Sequence, residues 1–91
     1  MLLGDLLNAF DDEAVAAETI LRVGDLALIA AMQREAAALG LSLGAFAAAT
    51  VRRYADSASD EEWTTLIGQM GRAADPGAVC LKRAFAQAMR P

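Results

Sequence analysis

The chain is expected to be all-α, a compact orthogonal or antiparallel bundle of five or six short helices, on three observations. Helix start signals recur along it, apolar residues return at three- and four-residue steps, and no stretch of five residues alternates convincingly as a strand. Ninety-one residues make one domain, residues 1–91. Its hydrophobic content is 56%, but twenty-two of those residues are alanine, which buries little surface and lets helices approach closely.

In chain order, Leu2, Leu3, Leu6, Leu7 and Phe10 form a short amphipathic stripe over residues 1–10, ahead of a bundle spanning 11–90. Asp11, Asp12 and Glu13 are the acids a following helix favours at its start. That helix carries Val15, Ala16, Ile20 and Val23. Gly24-Asp25 then either separates it from a helix over Leu26–Leu39 or sits within one long helix from Asp12 to Leu39. Leu28, Ile29, Met32, Ala36 and Leu39 share a stripe on the later part.

The uncharged run Ala36–Val51 admits three readings: a membrane span, a buried helix, or a corner between helices. A span requires about 20 predominantly apolar residues. A corner explains more: Gly40 suits a left-handed C-terminal cap and Ser42 a helix N-cap. It is expected to join two antiparallel-leaning helices. The second shows the clearest periodicity in the chain, with Leu43, Phe46, Ala47, Thr50, Val51 and Tyr54 on one face. Ser59-Asp60-Glu61-Glu62 reads as a capping box opening a helix with Trp63, Leu66, Ile67 and Met70 together. Asp75-Pro76 opens the last, with Val79, Leu81, Phe85 and Met89.

The chemistry is sparse. Histidine is absent, which removes the commonest general base and transition-metal ligand. The acidic triplets read as helix caps rather than metal ligands. Cys80, flanked by Val79 and Leu81, reads as a packing residue, and one cysteine forms no intrachain disulfide. No catalytic, cofactor-binding or metal-binding residues are expected. The start MLLGDLLNAF lacks a basic segment and makes a poor signal peptide, so the cytoplasm is the expected location, with no membrane partner.

Net charge is −4, and residues 1–18 hold five acids and no base, so nucleic acid is not an expected partner. The thin core and the extra amphipathic stripe point to a homo-oligomer, a dimer held partly by Leu2, Leu3, Leu6, Leu7 and Phe10, with a protein partner as the alternative occupant.

Thr19–Ala58 runs as a possible short strand (TILRV), a helix, GLSLG, and a second helix ending VRRYADSA. That order, and the phrase GLSLGAFAAATVRRYA, resembles the two-helix half of ribbon-helix-helix DNA-binding proteins. The resemblance implies a dimeric regulator in which TILRV enters the major groove, Arg22 faces DNA, and the helix start at Ser42 holds a phosphate. A lone arginine in an acidic half departs from that family's basic reading strand. Taken whole, with ASDEEWTTLIGQMGRAADPGAVCLKR, the sequence also resembles small all-helical bacterial proteins of about this length, which implies a free-standing unit and brings no activity with it. The expected function is therefore a non-enzymatic protein-interaction or regulatory module, with a ribbon-helix-helix-like regulator second and an enzyme last.

Overall fold

Five side-chain caps punctuate the chain where the sequence places them, and they divide it into six helices. The computed structural model describes residues 3–89. The helices are α1 (Leu3–Ala9), α2 (Glu13–Val23), α3 (Leu26–Ala38), α4 (Leu43–Ser57), α5 (Asp60–Arg72) and α6 (Pro76–Ala88). Asp12, Asp25, Ser42, Ser59 and Asp75 each accept a hydrogen bond from a backbone amide two or three residues on, satisfying donors that a helix start leaves open. Among the described residues there is no strand.

Thr19–Val23 is the last turn and a half of α2, so the ribbon implied by the resemblance is helical here. Three of its five residues are β-branched, but Asp12 caps the segment before it and Gly24, at φ +71°, ends it in the left-handed conformation. Asp12–Leu39 is accordingly two helices. α3 closes on Gly40, also left-handed at φ +70°, with Leu41 N–H donating to the Ala36 carbonyl at 2.9 Å and Gly40 N–H to Ala37 at 3.1 Å. These paired bonds turn the chain sharply. α3 and α4 meet at 92°, perpendicular rather than antiparallel-leaning as expected.

α4 occupies the centre, packed against α1, α2, α3 and α6. Of its predicted stripe, Phe46, Ala47, Thr50, Val51 and Tyr54 are buried, and Leu43 at the helix start is half-buried. Small residues make this possible. Gly44 lies so close to the backbone of Glu13 that any β-carbon there would overlap its carbonyl. Phe46 meets Phe85 edge-on at 6.1 Å, and Tyr54 meets Trp63 at 5.5 Å. Around this centre α3 rests chiefly on α4, and α5 chiefly on α6. The radius of gyration, 12.2 Å, is that of a closed globule of this length, so the six helices form one body.

Three predicted core positions lie outside. Leu39 is 61% exposed, Ile67 56% and Met89 49%: Leu39 and Met89 sit at the ends of α3 and α6, and the stripe of α5 is wider than the helix that chiefly covers it. No single helix among the described residues is long and apolar enough to cross a membrane.

Two glycines separate close packing from simple helix propensity. Gly44→Ala is expected to destabilise by about 1–3 kcal/mol, because backbone must move to admit the methyl. Gly68→Ala, inside α5 with only the end of the Arg72 side chain nearby, is expected to stabilise by about 0.5–1 kcal/mol. Urea midpoints that move the same way for both would refute the close α2–α4 approach. Phe46→Ala should cost about 3 kcal/mol, the low end for a phenylalanine truncation, since one edge of the ring faces a surface groove.

Candidate functional site

The amphipathic stripe of α1 docks on its own bundle. Leu6 is 5% and Phe10 1% exposed, which removes both from any surface between chains, while Leu7 is half-buried on the side facing α4. Leu2 and the side chain of Leu3 lie outside the described residues. A seven-residue helix is not stable alone in water, and burying Leu6 and Phe10 contributes about 1.5–3 kcal/mol each toward holding it.

That docking creates a groove of about 390 Å³ between α1, α2 and the start of α6. Leu6, Ala9 and Phe10 form one wall, Val15 and Thr19 the other, and Pro76-Gly77 the end. The Thr19 hydroxyl donates to the Val15 carbonyl at 2.8 Å, so it needs no partner in the groove. Charge is confined to the mouth, where Arg22 grips Asp75 with Nε at 2.8 Å from Oδ2 and Nη2 at 3.3 Å from Oδ1. The guanidinium holds the Asp75 carboxyl below its ordinary range, and Asp75 in turn raises the Arg22 pKa. Asp75 also caps α6, so one carboxylate fixes both that helix start and the end of α2. Glu18, one turn before Arg22, completes the rim.

A second polar cluster is a structural tie. The Glu62 N–H donates to Ser59 at 3.1 Å, and the Glu62 carboxylate accepts from Tyr54 Oη at 2.5 Å, from Arg83 Nε and Nη2 at 2.5 and 2.6 Å, and from Gln87 at 3.1 Å. Arg83 also donates to Gln69 at 3.2 Å. The cluster fastens α4, α5 and α6 together beside a polar cleft of about 380 Å³. A third concavity, of about 190 Å³, has Leu39, Leu41 and Met89 around the edge of Phe46.

Of the residues expected to touch DNA, Arg22 is engaged by Asp75 and Ser42 caps α4, its oxygen accepting from Ala45 N–H at 3.1 Å. They lie on different elements, and the structure brings neither to a ribbon. Cys80 is fully buried, and burial pushes its thiol up to about 11, so it is a packing residue as expected. Sequence reading missed Asp75 as the partner of Arg22 and Glu62 as the hub of α4–α6, because both pairings join residues far apart in the chain. Comparison with family models, with curated proteins and with solved structures finds no match, so the geometry of these sites carries the functional reading.

Two outcomes follow. Glu62→Ala removes the acceptor of the Tyr54 hydroxyl and of the Arg83 Nε and Nη2 groups and is expected to cost about 1–3 kcal/mol by chemical denaturation. A loss within error would mean the cluster ties nothing. Cys80 and Tyr54 both hold their protons more tightly than usual, in each case mainly through burial. Their contribution to stability is therefore complete below their ordinary pKa values and is lost as pH rises, from the ordinary 9.0 of a thiol through about 11 for Cys80. Cys80→Ala should flatten part of that alkaline decline, and native Cys80 should resist thiol reagents at pH 8 until the fold opens.

Proposed function

We propose that the protein is a non-catalytic helical interaction module that receives part of another polypeptide in the α1–α2–α6 groove. The observation that supports this reading is the groove itself: buried Leu6 and Phe10 close its floor, Ala9, Val15 and Pro76 leave apolar surface open within it, and charge lies only at the mouth. Concave, mostly apolar sites with a few placed polar groups are the usual form of a binding pocket. Its walls come from three helices, and the Arg22–Asp75 pair holds two of them in register. Cys80, the one side chain with nucleophilic potential that the sequence singles out, is enclosed and protonated, which agrees with a binding role rather than a chemical one.

Self-association is the second part of the proposal, on a different observation. Leu39, Leu41 and Met89 are 61%, 40% and 49% exposed and converge on one concavity over Phe46. Contiguous exposed apolar side chains of this kind mark association surfaces. A dimer through this surface replaces the expected one through Leu6 and Phe10, which α1 buries.

A photo-crosslinking residue at Ala9 is expected to capture a discrete polypeptide in the source cell, while the same residue at exposed Ala30 on α3 captures none. Equal capture at both positions would dispose of the groove as a docking site. Light scattering is expected to give a dimeric mass for the intact chain and a monomeric one for Leu39→Asp with helix content unchanged. A monomeric mass for the intact chain rules self-association out. Duplex DNA should not retain the protein at moderate salt, since Arg22 is already paired and the net charge is −4.

A further inference from the structure

The groove has a sign as well as a shape. Of the four charged side chains on or next to it, three are acidic. Glu18 and Asp75 line the mouth, and Asp5 lies one helical turn before Ala9 on the same side of α1. The single base, Arg22, is held by Asp75 in a two-point ion pair. Further acids stand on the same two helices and the turn between them, at Asp11, Asp12 and Glu13, and Asp11 alone of these meets a base, Arg52 at 3.2 Å. The chain has no basic residue before Arg22.

We infer that the occupant of the α1–α2–α6 groove is a basic amphipathic helix of a partner protein, which seats apolar side chains between Ala9, Val15 and Pro76 and sets lysines or arginines against Glu18 and Asp5. This deepens the interaction reading and rests on it. The apolar walls take one or two bulky side chains out of water, which provides affinity. The acidic rim attracts positive charge to the mouth and repels an acidic partner, which provides selectivity and speed of encounter. A second copy of this chain is the poorer fit, because its net charge of −4 would bring acid toward acid. The concavities over Phe46 and beside Leu7 each carry one acid and one base, Glu35 with Arg53 and Asp11 with Arg52, and the cleft that Glu61 and Glu62 line is bordered mainly by polar side chains rather than apolar walls.

The test titrates isotope-labelled full-length protein with two synthetic helical peptides of about 18 residues, alike in their leucine stripe, one with lysines and one with glutamates on the polar face. Amide shifts are expected from the lysine peptide alone, clustered on Ala9, Val15, Glu18, Arg22 and Gly77. They should weaken steeply between about 0.05 M and about 0.5 M salt. Glu18→Lys, at an exposed position, should weaken binding about five-fold or more, with the unliganded spectrum otherwise preserved. Asp60 and Glu61, exposed acids at the start of α5, serve as the internal control. Shifts centred on them instead, or binding untouched by Glu18→Lys, would mean attraction to any acidic surface and overturns the inference. Equal binding of both peptides in the groove keeps the docking site and overturns its preference for base. If neither peptide moves the groove residues, the docking site and the inference fall together. Concentration-dependent broadening at the groove without peptide overturns the inference in favour of a second copy.

Discussion

Everything in this fold depends on how closely α4 can approach its neighbours. Four helices pack around it, and its own contribution to the packing surface includes Gly44, Ala47 and Ala48 among the larger Phe46, Val51 and Tyr54. At Gly44 the approach reaches backbone against backbone, with the start of α4 lying on the start of α2. Alanine-rich helices bury little area per residue, so a small domain built from them gains cohesion by shortening distances rather than by adding bulk. A thin core of this kind is specific, because each close approach admits only small residues at the crossing.

The periphery is held differently. α3 and α5 each lean mainly on one helix, and what keeps α5 in place is partly polar. Glu62 draws Tyr54, Arg83 and Gln87 together from α4 and α6, and its carboxylate is mostly enclosed, with the side chain 11% exposed. A charge sheltered to that degree needs its partners, so the cluster is costly to disturb and defines where α5 sits. The pairs Arg22–Asp75 and Arg52–Asp11 are more exposed, and such pairs contribute little to stability on average. Arg22–Asp75 matters instead for position: it aligns the end of α2 with the start of α6 and so shapes the mouth of the groove.

How much of this was legible follows from the range of each signal. Caps are local, a side chain answering an amide three residues on, and Asp12, Asp25, Ser42, Ser59 and Asp75 were all readable as such. The stripe of α4 was readable because the helix is enclosed on most sides and its pattern is correspondingly complete. Helix ends, and a helix with one main neighbour, mislead: Leu39 and Met89, at the ends of α3 and α6, and Ile67 on α5 fit the spacing of a buried face but lie beyond what their neighbours cover. TILRV reads locally as a strand from its β-branched residues, and only the cap before it and the glycine after it hold it helical. The stripe of α1 was legible, but not its destination, since docking on the bundle and docking on another chain require the same residues. Ion pairs between residues 22 and 75, or 62 and 83, leave no periodic trace at all, and the groove that depends on the first of them was invisible for that reason.

Native-state hydrogen exchange tests the central position of α4 directly. Amides of α4 between Ala47 and Tyr54 should exchange only through global unfolding, with protection equal to the stability measured by denaturant. Those of α3 and α5 should open earlier, through partial unfolding that leaves α2, α4 and α6 together. If α4 instead exchanged ahead of α3 or α5, it would not be the helix on which the others are assembled.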